Sequence, residues 1–366
     1  MMKLSTPDTL NRRTASSSIC TRQFGLDVLR ALAIVSVIGG HFFMNTPFGR
    51  TPVNSASMFI QNALQYLLTT IGVPLFLMLT GYLNCFKQIN ASYFPKVIRV
   101  VTSYLLISVI TYAVLIAIGE EVFSFKRLLN GLGDFSIIRY GWYIDMYLGL
   151  FLLIPLLNIV IDTAVKDIAN RHVWIWMFVG FIMVSSLPLT LNRYGFTLFP
   201  KYWKNCWVLD YYIFGALIRR FFPECPPEIF RKLRPILWFG GVGLCVVHPA
   251  LSMILRTDNP VAPLGGSSDI PGMVLTIIVF LSLYDIKSTP CKTVVSSVAR
   301  CSLDMYLFSY IVDRAAYPLL MQLCNKQSEM LLYYLPVVAC IIFCAWLLSW
   351  VKERVFRLLK LPAVWG

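Results

Sequence analysis

Within the run FGLDVLRALAIVSVIGGHFF, residues 24–43, Asp27, Arg30 and His41 stand among side chains that are otherwise apolar. Each is costly to place in hydrocarbon, so ionisable groups in such a segment mark an ion pair, a polar cavity or a reaction site. Imidazole exchanges protons near neutral pH, which suits His41 to general-base work or to carrying a transferred group. Arg30 offers a planar fork of donors that matches phosphate oxygens. On an α-helix the step from Arg30 to His41 turns through about 1100°, leaving the two within about 20° of one another and about 16 Å apart along the axis. Asp27, three residues before Arg30, shares that stripe. An Asp27–Arg30 pair anchoring the helix end with an interfacial His41 is the plainer account; alignment on one face favours a common function.

Further polar groups lie beside apolar runs. In FKQINASYFPKVIRVVTSYLL, Lys96 and Arg99 fall three apart on one face of an incoming helix, where they could hold a phosphorylated ligand or simply follow the bias of basic residues to the cytoplasmic side. RYGWYIDMYLGLFLLIPLLN carries Trp142, Tyr143, Asp145 and Tyr147. An aromatic belt explains the rings but not Asp145, nor Asp210 and Asp304 in later apolar runs, since carboxylates at such positions face a cavity or a cationic partner.

The elements that must position these groups are apolar helices. Of 366 residues, 57% are hydrophobic and only 14% charged, well below the quarter or so usual for soluble domains. The formal net charge of +14 invites a nucleic-acid reading, but the basic residues sit in short segments between apolar runs and not on one polar face, so no nucleic acid is expected. Runs long enough to cross about 30 Å of hydrocarbon fall near 25–44, 59–86, 97–118, 142–161, 174–191, 206–221, 236–254, 271–286, 301–323 and 332–351. With the N-terminus inside, 21 Lys and Arg flank the cytoplasmic ends and 10 the opposite ends, which predicts both termini in the cytoplasm. The expected architecture is an all-α polytopic transmembrane bundle of about ten spans. Residues 1–23 read as a cytoplasmic tail and 24–361 as a single transmembrane domain, no gap being long enough for a second one. Ten cysteines without a C-x-x-C pair, with only His41, His172 and His248, predict neither a metal site nor a disulfide framework.

LDVLRALAIVSVIGGH resembles the first helix of the acyltransferase-3 family of integral-membrane acyltransferases, whose hallmark Arg, ten intervening residues and His are matched by Arg30 and His41. GVPLFLMLTGYL is similar to the family's second-helix segment, YFPKVIRVVTSYLL to its Arg-x-x-Arg stretch with Lys96 in place of the first arginine, and GWYIDMYLGLFLLIPLLN to a segment of the O-acetyltransferase branch. SLDMYLFSYI resembles a late Ser-Tyr-x-x-Tyr-Leu-x-His segment, with Ser309 where many relatives have histidine, so no role is carried to that position. The likeness runs in order along almost the whole chain.

The resemblance implies transfer of an acyl group, usually acetyl from acetyl-CoA, to a hydroxyl of a surface or lipid-linked glycan by a multi-pass protein of the cytoplasmic (inner) membrane. The implied partners are the bilayer, acyl-CoA and a glycan acceptor. Arg30, Lys96 and Arg99 are then the CoA-phosphate ligands. His41, with Arg30 and Asp27 on its stripe, is the catalytic group, as base or as acyl carrier, and Trp142, Asp145 and Asp304 are supporting residues; either Asp145 or Asp304 could orient His41. A pantetheine arm can span the roughly 16 Å between Arg30 and His41. A glycan or lipid-intermediate transporter without acyl transfer is the alternative from another class, since such proteins also bury carboxylates among helices. These patterns set no oligomeric state.

Overall fold

The computed structural model describes residues 23–90, 93–200, 202–255, 261 and 266–358; of the expected tail at 1–23, residues 1–22 lie outside the described residues. Among the described residues eleven α-helices follow one another: α1 (Phe24–Asn45), α2 (Ala56–Asn84), α3 (Pro95–Ala117), α4 (Phe125–Gly133), α5 (Trp142–Lys166), α6 (Arg171–Arg193), α7 (Trp207–Phe221), α8 (Glu228–Leu255), α9 (Ile270–Leu283), α10 (Lys292–Leu323) and α11 (Leu331–Leu358). Among the described residues there is no strand, only one bridge between Pro52 and Val261. The fold is thus an all-α polytopic bundle.

Each apolar run read from the sequence falls mainly within one of these helices, the runs at 59–86, 97–118, 206–221 and 271–286 passing the helix ends by one to three residues. Several helices continue past the apolar edge, as in α10, which begins at Lys292 because the polar turns KTVVSSVAR extend it without meeting a helix breaker. By length and composition, seven described helices can cross a membrane: α1, α2, α3, α5, α6, α8 and α11. The other three expected spans are α7 and α9, of 15 and 14 residues, and α10, whose 32 residues include Asp304, Asp313 and Arg314. The short amphipathic α4, capped by Ser124 Oγ accepting from the Arg127 amide, occupies a stretch that carries no apolar run.

Helix ends are tied in two groups. At one end, Tyr82 donates to the Pro223 carbonyl (2.6 Å), Tyr284 to that of Phe222 (2.8 Å), Asn158 to those of Asn84 and Lys87 (2.8 Å each), and Ser296 to Asp27 (2.9 Å). At the opposite end, Gln61 donates to the Gln327 carbonyl (2.9 Å), and Arg193 pairs with Asp269 (2.8 Å), which also accepts from Tyr66 (3.0 Å) and caps α9 through the Gly272 amide (2.9 Å). Arg30 belongs to the first end and His41 to the second.

Helix α1 is central: 72% of its apolar window is buried, against 22% for α6 and α11, whose outer faces are left for lipid. Leu26, Leu29 and Ala33 share one core cluster with residues of α2, α7 and α9, whereas Ile34, Ile38, Phe42 and Phe43 share another with residues of α3, α10 and α11. Helices α2 and α7 touch through glycines, since a Cβ on Gly81 or Gly215 would collide with the carbonyl oxygen of Tyr212 or Met78 respectively; without a hydrophobic drive between helices in lipid, such close approach is a principal source of cohesion. Gly215→Leu is therefore expected to destabilise the protein by about 1–3 kcal/mol, read as a lowered unfolding temperature in detergent; unchanged stability would mean that the two backbones do not meet there.

Candidate active site

Two cavities run along the buried stripe of α1. The first, about 170 Å³, is lined by Arg30, Val37, Val73, Phe76, Val100, Tyr143, Ile144, Tyr147, Ser302, Leu303 and Tyr306. The second, about 260 Å³, is lined by His41 with Ser36, Val37, Gly40, Met44, Gln65, Leu68, Thr69, Gly72, Val73, Trp142, Ser267 and Tyr306. Val37, Val73 and Tyr306 border both, so the two adjoin, with Arg30 in one and His41 in the other. The first is walled mainly by apolar and aromatic side chains, while the second adds hydroxyl and amide groups.

His41 is buried, its ring stacked on that of Tyr140 with centroids 3.6 Å apart and 20° between planes. Its Nδ1 stands 3.7 Å from Asp313 Oδ2 and has no hydrogen-bond partner. Tyr140 donates its hydroxyl to the same Asp313 oxygen at 2.5 Å, and Asn45, one turn beyond His41, donates to Tyr140 Oη (2.7 Å) and to the His41 carbonyl (2.9 Å). The enclosed Nδ1 faces a carboxylate, which leaves Nε2 as the nitrogen for the cavity. A proton taken at Nε2 charges a ring that Asp313 stabilises across 3.7 Å. That arrangement suits general-base chemistry on a ligand hydroxyl.

Arg30 is part-exposed and pairs with Asp27 at 3.7 Å; Asp27 is buried behind it, accepts from Ser296 and lines neither cavity. Lys96 lies in the first turn of α3, but its side chain is outside the described residues. Arg99 is exposed, and the α3 residue that reaches the cavity is its neighbour Val100. Trp142 lines the His41 cavity, whereas Asp145 is exposed and lines neither. Asp304 is fully buried, and its Oδ1 accepts from Lys352 Nζ at 2.6 Å, a nitrogen that also donates to Ser103 (2.8 Å). Neither Asp145 nor Asp304 is the carboxylate beside His41; that place belongs to Asp313. Asp210 is held by Ser185 (2.6 Å) and Ser186 (3.2 Å) of α6.

Sequence reasoning missed Asn45, Tyr140 and Asp313. Asn45 had a readable signal, falling four residues after His41 on the same helix face. Tyr140 passes as one more belt aromatic, and Asp313 stands next to Arg314 and reads as part of a charged span end. Their meeting depends on how α10 and the turn before α5, which carries Tyr140, pack on α1.

Comparison with known proteins finds no match among curated proteins or solved structures. A family model described as an acyltransferase domain matches residues 23–362, which include both cavities and every residue just described. The chain therefore belongs to the acyltransferase-3 family of membrane acyltransferases.

Proposed function

We propose that this multi-pass membrane acyltransferase moves acetyl from cytoplasmic acetyl-CoA to a hydroxyl of a surface or lipid-linked glycan, in the cytoplasmic (inner) membrane and with both termini inside. The observation that carries this reading is the pair of adjoining cavities with Arg30 in one and His41 in the other. A cationic, part-exposed Arg30 fits a CoA phosphate, with Lys96 and Arg99 at the same end of the bundle as further cations for the nucleotide. The walls of Val37, Val73, Phe76 and Leu303 fit the pantetheine arm. The excess of Lys and Arg on the end to which Arg30 belongs supports donor entry from the cytoplasm.

In this reading His41 Nε2 takes the proton of the acceptor hydroxyl as its oxygen bonds to the thioester carbon. The C–S bond then breaks, and the departing sulfur takes the proton back from the ring, so that the free CoA thiol and an acyl ester leave and His41 returns neutral. Asp313 positions and stabilises the ring, itself held by Tyr140 and Asn45.

Purified protein in lipid nanodiscs, given acetyl-CoA labelled in its acetyl group, is expected to consume the thioester. Cells carrying the gene are expected to show an acetyl mass on their surface glycans that cells without it lack. A protein that leaves acetyl-CoA intact, with glycans unchanged, would instead fit the transporter reading. Asp313→Asn keeps an acceptor for Tyr140 but removes the charge that stabilises the protonated ring, a loss of about 1.5–3 kcal/mol and hence about 10- to 100-fold in turnover. The check is the initial rate at saturating acetyl-CoA on protein whose unfolding temperature matches wild type.

A further inference from the structure

The His41 cavity contains an unmet hydrogen-bond acceptor that no part of the acyl-transfer chemistry uses. Gln65, on α2, is fully buried, and its Oε1 has no donor. Its Nε2 donates to Thr69 Oγ1 (3.3 Å), while the Thr69 hydroxyl donates to the Gln65 carbonyl (2.8 Å). Exchanging the two ends of the amide would not help, since the single hydroxyl hydrogen of Thr69 is already committed and could not serve Oε1. Buried amide oxygens are ordinarily satisfied, so one left without a donor in a cavity wall marks a place where an ordered water, or a ligand hydroxyl that displaces it, supplies the donor. Ser36 Oγ, buried on α1 and lining the same cavity, is likewise without a partner, although a helical serine has a carbonyl one turn back within reach. Trp142, half-exposed at the same cavity, adds a flat apolar face.

The group that meets Gln65 Oε1 must be a donor, which a carboxylate, phosphate or ether oxygen is not. From these observations we infer that the acceptor is held by a second hydroxyl, neighbouring the one acylated, which donates to Gln65 Oε1 while Ser36 Oγ meets a further polar group of the same ring. Gln65 and Ser36 thus form a subsite for a polyhydroxylated acceptor, and Gln65 is the residue that separates a sugar from water or a simple alcohol. This rests on the glycan-acetylating reading proposed above.

The test uses the native acceptor in cells and three forms of the full chain: wild type, Gln65→Met, and Asn62→Leu as control. Asn62 is on the same helix, is buried and has an unpartnered amide nitrogen, but does not line the cavity. With equal amounts in the membrane by immunoblot, Gln65→Met is expected to lower the acyl content of surface glycans, read by mass spectrometry, at least tenfold. Asn62→Leu is expected to stay within twofold of wild type. Purified Gln65→Met is expected to unfold at or above the wild-type temperature, because an unmet oxygen has been replaced by an apolar group of similar shape. Full acylation in Gln65→Met, an equal loss in Asn62→Leu, or a lowered unfolding temperature for Gln65→Met each overturns the subsite. If wild-type cells carry no gene-dependent acyl group, the glycan reading itself fails and the subsite with it; gene-dependent acylation undiminished in Gln65→Met overturns the subsite alone.

Discussion

His41→Ala is expected to lower acyl transfer by about 10²- to 10⁴-fold, the range that a positioned general base contributes, while the protein inserts and purifies as wild type does. Among the described residues that line the second cavity the other titratable side chain is Tyr306, whose hydroxyl donates to the Tyr140 carbonyl (2.6 Å), so deleting the ring leaves no free base to take over the proton. Asp313 cannot substitute: its Oδ2 is occupied by Tyr140, and it does not border the cavity. The lost stacking on Tyr140 is a smaller effect, since an aromatic pair contributes about 0.5–1.5 kcal/mol beyond its burial. The measurement is label transfer from acetyl-CoA by purified variant and wild type, with imidazole added to the buffer in a parallel series. Recovery of part of the rate by free imidazole supports a base; a covalent acyl adduct on His41 in wild type, seen by mass spectrometry of quenched reactions, would assign it as a carrier. Activity undiminished in His41→Ala would sink both roles.

The second large effect is on stability. Lys352 and Asp304 are both buried and 2.6 Å apart, joining α11 to α10, with Ser103 of α3 as a further acceptor for the ammonium. Lys352→Met leaves a carboxylate enclosed by protein with no cation to answer it, and breaking a buried pair from one side costs about 3–5 kcal/mol. Thermal unfolding in detergent is expected to fall accordingly, with much of the loss recovered in the double variant Lys352→Met/Asp304→Leu, where no charge is left to bury. The double variant also tests the role first considered for Asp304. Transfer within a few-fold of wild type assigns it to holding helices together, and loss of transfer in a stable double variant returns it to the chemistry.

How far these conclusions could be read from the chain differs by feature. The helices were legible because lipid demands long apolar runs, and each such run is a helix in the structure. The coupling of Arg30 and His41 was legible too, because both lie on one helix and their relation follows from its pitch. What could not be read were partnerships between helices distant in sequence. Asp313 reaches His41 across 272 positions and Lys352 reaches Asp304 from the next helix, and neither pairing has a local signature. Local spacing also misleads in the other direction: Arg99 shares a face with Lys96 in sequence, yet it is Val100 that meets the cavity, because the rotation of α3 about its axis is set by packing.

The proline-free course of α1 between Arg30 and His41 has one more consequence. A helix buried along most of its length keeps its rise per residue, so the spacing of the two Cα positions is a property of the backbone. It acts as a measuring rod for whatever lies beside it: a donor whose charged end and reactive carbon are spaced to match touches both marks at once, and a shorter or longer one touches only one. Adding a single residue between the marks would turn them about 120° apart, so the gauge is set by residue count and cannot be retuned by small steps.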